Sequence, residues 1–249
     1  IKPLILTDFD YPMIDNKKIT YSRLTNGFDS VLKNKEDVIR KYNTAKINSF
    51  LGPNVDFDNI DSNYKSKIDS LLILSKKYSF IPCLKHFCYD YKKGNTHFSE
   101  SINYKSYKKI LSEDLKPYYY LSSVIDKSYL IMVGHHKIKE FDSINVASQS
   151  EKINLLISKE LKKSVTISDE IGMRASSKGN IFFQALPNYS FIKNIKTDIL
   201  LAQGGNIFDH RKLILNEISK LNKDLIYLRC LKILKLKKEY NLIETIYIK

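Results

Sequence analysis

The sequence predicts an α/β protein built around a parallel sheet, either doubly wound or closed into a barrel. Short apolar runs typical of buried strands recur along the chain, and segments with apolar residues at three- and four-residue spacing lie between most of them. This alternation favours parallel pairing through right-handed crossovers. Ionisable residues also follow four of the apolar runs, as they do where strands end at the mouth of a barrel.

The predicted elements follow one another along the whole chain. The strands are expected at residues 3–10, 54–58, 80–87, 129–134, 164–170 and 198–203. Helices are expected at residues 36–51, 65–78 and 150–163. A basic, helix-patterned stretch from 209 to 243 is expected to pack outside the sheet. Because no short repeat or low-complexity linker divides the 249 residues, we predict one domain over residues 1–249.

The charge balance raises the possibility of a nucleic-acid partner. Lysine and arginine total 41 against 27 acidic residues, which gives a net charge of +14. The lysines, however, are spread through the whole chain among Asn, Ile and Tyr, and short patches such as "KILKLKK" at 232–238 are scattered. A solvated basic surface is therefore favoured, and we do not expect a nucleic-acid partner, although that function stays as a third alternative.

Cysteine usage and hydropathy predict a cytoplasmic protein without a membrane anchor. Cys83, Cys88 and Cys230 show no paired spacing, so neither a disulfide framework nor a zinc site is indicated. No apolar stretch approaches the roughly 18 residues that a membrane-spanning helix needs. The sequence begins at Ile1 rather than at a methionine, and it carries no indication of oligomeric state.

Polar side chains collect at the ends of four predicted strands. A single such residue usually only ends its strand, but four strand ends with ionisable groups predict a site, because the carboxyl ends of barrel strands converge on one mouth. For the two adjacent histidines, packing behind the site is the simpler interpretation. The residues are Asp8, Asp10, Lys85, His86, His135, His136, Asp169 and Glu170.

The first of these strand ends has a competing interpretation. "LILTDFD" resembles the Asp-x-Asp of haloacid-dehalogenase-type phosphatases, in which Asp8 would be the nucleophile and Asp10 the proton donor. That pattern normally continues with Gly-Thr, whereas Tyr11 and Pro12 follow here, and no later Gly-Asp metal-binding pair is present. The phosphatase hypothesis is therefore less favoured.

Taken in order, the segments resemble family 3 glycoside hydrolases, specifically the β-N-acetylglucosaminidase branch. "CLKHFCYDYKKGNTHFSES" is similar to the family's KHFPGHGDTxxDSH, and "SVTISDEIGM" to its ISDDLxM. "PLILTDFD", "LGPNVDFDNID", "LIMVGHHKI" and "TDILLAQ" match further family segments in the same order. The resemblance implies a TIM-type (β/α) barrel that is incomplete or lacks its first strand in this chain.

The resemblance also implies catalytic roles. Asp169 falls on the family's catalytic nucleophile, and His97 on its general acid/base. Retaining hydrolysis needs such a pair, an anionic nucleophile below the anomeric carbon and a proton donor for the leaving oxygen. A histidine departs from the usual two carboxylates, but its pKa suits proton transfer near neutrality.

Sugar-binding roles follow from the same alignment. Lys85 and His86 fall on the pair that holds the sugar hydroxyls, and Asp8 on an acid that binds the sugar at the preceding strand end. Asp10 and His135 are added as further candidate sugar-binding residues at two of the strand ends. Glu170, next to the nucleophile position, is expected to cap the following turn.

The sequence departs from the family pattern around the proposed acid/base. Asn95 stands where the family has the aspartate that orients and charges the histidine, and Asp90 is a possible substitute. Tyr11-Pro12-Met13 replaces the Gly-Gly-Arg that follows the first acid. These departures predict weakened activity rather than a different fold.

The sequence thus predicts a divergent retaining β-N-acetylglucosaminidase that acts on terminal N-acetylglucosamine of small saccharides. It is expected to need no metal and no organic cofactor. The main alternative is a catalytically reduced barrel that binds saccharide or a protein partner without hydrolysing it.

Overall fold

The computed structural model of the protein describes residues 6–8, 13–14, 17–18, 49–55, 63–88, 96, 99–173, 175, 189–202 and 207–243. The strands are β1 (Leu6–Asp8), β2 (Met13–Ile14), β3 (Lys17–Lys18), β4 (Ser49–Asn54), β5 (Ile81–Phe87), β6 (Ile102–Asn103), β7 (Tyr129–Val133), β8 (Lys137–Ile138), β9 (Ser164–Glu170) and β10 (Ile199–Leu201). The helices are α1 (Asn63–Tyr78), α2 (Tyr107–Lys109), α3 (Lys116–Val124), α4 (Glu151–Glu160), α5 (Tyr189–Ile192), α6 (Ile207–Ser219) and α7 (Lys223–Glu239).

Six of the strands form one parallel sheet in the order β1-β4-β5-β7-β9-β10. This confirms the predicted α/β class with a parallel sheet. The central strand β7 is buried at every position, which fits its uninterrupted apolar sequence, because both faces of a parallel sheet are normally covered. Among the described residues, no hydrogen-bonded ladder joins β1 to β10 to close the sheet into a barrel.

One face of the sheet packs against helices α1, α3 and α4. Leu84 and Phe87 of β5 lie on this face with Ile131 and Val133 of β7. The ring of Phe87 meets that of Tyr118 edge-on, with 5.3 Å between the centroids. The helices contribute Ile68, Tyr118, Leu121, Ile153, Leu156 and Ile157 to the same cluster.

The alternate residues of the same strands form a second cluster on the opposite face. A row of paired residues crosses four strands, from Leu51 through Cys83 and Leu130 to Val165. All four belong to this second cluster. In a closed barrel the face opposite the helices is the one that turns inward.

Helix α7 lies across the amino-terminal end of the sheet. Its Lys232 contacts Asp198 just before β10, with 3.2 Å between Nζ and Oδ1, and Glu239 accepts a hydrogen bond from Ser128 N–H just before β7. Leu236 and Tyr240 join the second cluster. The basic stretch is helical here, as expected, and the apolar side of this helix covers the amino-terminal end of the sheet.

The sequence predicted several of the longer elements, but not helix α3 or the short strands β2, β3, β6 and β8. Strands β5, β7 and β9 and helices α1 and α4 begin and end within three residues of the predicted bounds. The predicted helix over 36–51 is wrong at its end, because residues 49–51 belong to β4. Parallel pairing of β4 with both β1 and β5, and a 2.9 Å hydrogen bond from Ser49 Oγ to Ile81 O, override the helical spacing there.

Among the helices in the described part of the chain, none is both long enough and apolar enough to cross a membrane.

Candidate active site

The described candidate residues lie at the carboxyl ends of parallel strands. Asp8 is the last residue of β1, Lys85 and His86 immediately precede the last residue of β5, and Asp169 immediately precedes the last residue of β9. Since all of these strands run in the same direction, the residues share one end of the sheet. Nothing further is described of the Asp8 side chain, and Asp10 lies outside the described residues.

The side chains of His86 and Asp169 meet across the end of β7. His86 Nε2 lies 3.7 Å from Asp169 Oδ2, although their strands, β5 and β9, are separated by β7. The His86 side chain is 23% exposed and that of Asp169 13%, so solvent reaches both groups only in part. Both groups therefore lie side by side, partly exposed, at this end of the sheet.

Gly134, beside this pair, leaves room for the buried ring of His136. It follows the last residue of β7, and its N–H donates a 3.2 Å hydrogen bond to Phe87 O. A Cβ at this position would lie 2.9 Å from His136 Nδ1 and 3.6 Å from His86 Cβ. Only glycine fits at this position, directly after β7, without moving the buried ring of His136.

Two hydrogen bonds fix the backbone and carboxylates at the end of β9. Asp169 Oδ1 accepts a 2.8 Å hydrogen bond from Glu170 N–H. Glu170 Oε1 in turn accepts a 2.9 Å hydrogen bond from Gly172 N–H, which confirms the expectation that Glu170 caps the following turn.

His135 is buried behind the end of β9 and is fully enclosed by protein. Its Nε2 lies 2.9 Å from Glu170 O, and its Nδ1 lies 2.8 Å from Ser148 Oγ. A carbonyl can only accept, so Nε2 carries the proton and Nδ1 of the neutral ring accepts from the serine hydroxyl. Burial lowers the pKa of His135 from its ordinary value of 6.5, whereas the negative charge of Asp169 acts in the opposite direction and raises it.

His136 and Lys85 are also buried. His136 is fully enclosed, and desolvation, with further contributions from His86 and His135, lowers its pKa to about 3. Lys85 is 5% exposed, and its carbonyl accepts a 2.7 Å hydrogen bond from Val55 N–H. The peptide bond between Lys85 and His86 is cis.

The proposed acid/base His97 lies outside the described residues, as do Asn95 and Asp90. Its neighbour Thr96 is described: the Thr96 carbonyl accepts a 3.2 Å hydrogen bond from the N–H of Ala175. Thr96 therefore lies beside the segment that follows β9.

The site contains groups that sequence reasoning missed. Ser148 and Gly134 carry no titratable group, and sequence reasoning gave them no role; only their place in the fold indicates one. Within the part of the chain that the structure describes, no three residues of His, Cys, Asp and Glu are grouped closely enough to hold a metal ion.

Comparison with protein-family models and with curated protein sequences finds no match. Solved structures, in contrast, resemble the chain over nearly its whole length. A fungal multi-domain GH3 β-N-acetylglucosaminidase aligns with a TM-score of 0.74 at 14% identity, over 95% of this chain and 31% of its own. A glycoside hydrolase family 3 β-N-acetylglucosaminidase from Paenibacillus sp. aligns with a TM-score of 0.73 at 15% identity, over 100% of this chain and 52% of its own.

A third similar structure is the Zn-bound CbsA from Thermotoga neapolitana, with a TM-score of 0.73 at 21% identity, over 98% of this chain and 59% of its own. The chain thus spans between 31% and 59% of the length of these three proteins. Identities this low show the fold alone. That fold is the mixed α/β arrangement, with a parallel sheet and helices, found in family 3 glycoside hydrolases.

Proposed function

We propose that this protein is a divergent retaining β-N-acetylglucosaminidase. It would act on terminal N-acetylglucosamine of small cytoplasmic saccharides, with one barrel-type domain over residues 1–249. The observation that carries the proposal is the meeting of His86 and Asp169, 3.7 Å apart, at the carboxyl end of a parallel sheet. The fold shared with family 3 glycosidases supports the same reaction class.

The strand register supports a barrel geometry for this site. Asp8 pairs with Leu51, and the row from Leu51 continues through Cys83 and Leu130 to Val165. Counted from that row toward the carboxyl ends, Lys85 lies two residues further along β5, the third strand of the sheet. Asp169 lies four residues further along β9, the fifth strand. In an eight-stranded barrel with shear 8, residues at the same height along the barrel axis shift by about one residue from each strand to the next. The three residues thus correspond to one level of such a barrel.

In the first step of the proposed reaction, a carboxylate oxygen of Asp169 attacks the anomeric carbon. The bond from that carbon to the leaving oxygen breaks as His97 donates a proton to the oxygen, which leaves a glycosyl ester on Asp169. In the second step, water attacks the same carbon from the opposite side, His97 takes its proton, and the ester bond breaks. Two inversions give net retention.

The remaining residues would bind and orient the sugar. Lys85 and His86 would hold its hydroxyl groups from the end of β5, and Asp8 from the end of β1. Asp10 stays a candidate at the same end. A donor that tightens on the hydroxyls as positive charge develops on the ring lowers the barrier. The hydrogen bond between Thr96 and Ala175 holds the residue before His97 beside the segment that follows β9.

The direct test is hydrolysis of a chromogenic aryl β-N-acetylglucosaminide. The wild type should release the aryl group, and Asp169→Asn should abolish release without loss of the folded state. Asp198→Asn is a matched control, because it removes a carboxylate at the opposite end of the sheet. Activity that survives Asp169→Asn would exclude this residue as the nucleophile.

Asn95 favours one alternative, a barrel that binds saccharide but turns it over poorly. An amide can hydrogen-bond to His97, but it brings no charge to stabilise the imidazolium. On this alternative, N-acetylglucosamine binds in calorimetry, whereas disaccharides, whose leaving group needs a proton, are not hydrolysed.

A further inference from the structure

A continuous chain of hydrogen bonds leads from the end of β7 to the carboxylate of Asp169. Ser148 N–H donates to Gly134 O at 3.3 Å, and Ser148 Oγ lies 2.8 Å from His135 Nδ1. His135 Nε2 then lies 2.9 Å from Glu170 O, and Glu170 N–H donates to Asp169 Oδ1 at 2.8 Å. The Glu170 N–H is thus held by the carboxylate, and the Glu170 carbonyl by two donors, His135 Nε2 and the N–H of Met173 at 3.1 Å.

The far end of this chain is anchored to rigid parts of the fold. Ser148 lies in the 3-10 helix Ala147–Gln149, whose first N–H donates to His136 O at 2.7 Å. The Ser148 carbonyl accepts a 2.9 Å hydrogen bond from Lys196 N–H, so the serine is tied both to the end of β7 and to the segment before β10. Because the Ser148 backbone is held on both sides, its hydroxyl can fix the position of the His135 ring.

The ring of His135 has its plane and its tautomer fixed. Phe191 packs edge-on against it, with 5.0 Å between centroids and 80° between planes. Burial lowers the pKa of His135, which favours the neutral ring with the proton on Nε2. The neutral ring satisfies both contacts at once, as donor to Glu170 O and acceptor from Ser148.

We propose that His135, held by Ser148, is a positioning residue that sets the backbone of Glu170 and thereby the attack geometry of Asp169. This inference rests on the proposed function for its kinetic consequence. It also revises the sequence-based expectation that His135 contacts sugar, because the ring is enclosed and both of its nitrogens bind protein atoms.

Three variants separate the parts of this proposal. His135→Phe keeps a ring of similar size but removes both hydrogen bonds, and we expect kcat to fall about 10²-fold, the loss typical of a misplacement of about 1 Å. KM should change little, because the misplaced group acts in the transition state. His135→Gln restores an N–H donor toward Glu170 O and should recover most of the lost kcat. Ser148→Ala should give a smaller loss than His135→Phe.

Tyr129→Phe is the matched control for loss of a buried hydrogen bond. Tyr129 is fully buried at the start of β7, and its hydroxyl bonds to Ser122 Oγ, far from the strand tips. This control should lower the unfolding midpoint and leave kcat unchanged. If His135→Phe behaved in the same way, with a lower midpoint and wild-type kcat, the histidine would be structural and the positioning role would be refuted.

Crystal structures of the wild type and of His135→Phe provide a readout that does not need activity. The proposal predicts that the 2.8 Å contact between Glu170 N and Asp169 Oδ1 and the 3.7 Å distance between His86 and Asp169 both change in the variant. Unchanged distances would refute the positioning role even in an inactive protein. A wild type inactive on every glycoside would refute the proposed function alone.

Discussion

Gly134→Ala should disturb the site through a single added methyl group. The new Cβ would lie 2.9 Å from His136 Nδ1 and 3.2 Å from His136 Cε1. His136 is fully buried, so its ring has no open space into which it can move. Overpacking of this kind destabilises by about 1–3 kcal/mol, and replacement of glycine by alanine returns about 0.4–1 kcal/mol through the unfolded chain. We expect a net loss of about 1–2 kcal/mol.

The same methyl group should lower activity. It would also lie 3.6 Å from His86 Cβ, and any shift of the His136 ring or of the backbone at Gly134 moves the partner of Asp169. Urea denaturation gives the change in stability, and hydrolysis of an aryl β-N-acetylglucosaminide gives the change in kcat.

Gly172→Ala is the matched control, on the segment that follows β9. Its Cβ would lie 3.1 Å from Glu170 Oε1, the far end of a side chain that can move by a few tenths of an ångström. Its stability should stay within about 0.5 kcal/mol of the wild type. If Gly134→Ala proves no less stable than Gly172→Ala, the tight packing around His136 is not as described.

Three further predictions concern the acid/base loop, the buried histidine and the end of the sheet. Asn95→Asp should raise turnover of a natural disaccharide more than that of an aryl glycoside, because only the natural leaving group needs a proton; equal or absent gains would refute the role of His97 as acid. His136 has a folded pKa of about 3 against an unfolded value near 6.5, so the unfolded chain binds the additional proton between these values. Stability should therefore fall as the pH drops from about 6.5 to 3, by up to about 1.4 kcal/mol per pH unit from this residue. His136→Gln should flatten that slope in urea titrations; an unchanged slope would count against the buried neutral ring. Asp198→Ala should lower the free energy of unfolding by about 1–3 kcal/mol, because it leaves the buried Thr166 N–H without its acceptor. Lys232→Ala, which removes only the exposed partner of Asp198, should change the free energy of unfolding by less than about 1 kcal/mol. Equal losses for the two variants would contradict the stabilising role given to the hydrogen bond between Thr166 and Asp198.

Strand and helix positions were largely predictable where one periodicity dominated. The apolar run of β7 and the three- to four-residue spacing of α1 need no tertiary information. Strand β4 was not predictable in the same way, since Gly52 and Pro53 interrupt it and its register with β5 shifts at Gly52. Pairing with strands on both sides keeps those residues in the sheet.

The site was predictable only for residues with a chemical signature. Asp169, Lys85 and His86 follow apolar runs and match family motifs, so the sequence alone marks them. The sequence cannot show that Ser148 reaches His135, or that His135 faces Glu170 rather than the sugar. Those contacts depend on how the segment after β8 folds back against the strand ends, and serine and glycine have too many structural uses for their type to indicate one.

The central claim is that Asp169 becomes covalently attached to the sugar. The most direct measurement is mass spectrometry of the protein after incubation with a fluorinated N-acetylglucosaminide that forms the glycosyl ester faster than water cleaves it. We expect one added sugar per chain, located on the peptide that contains Asp169 and absent from Asp169→Asn. Hydrolysis without such an adduct and with inversion at the anomeric carbon, or an adduct on another residue, would contradict the claim.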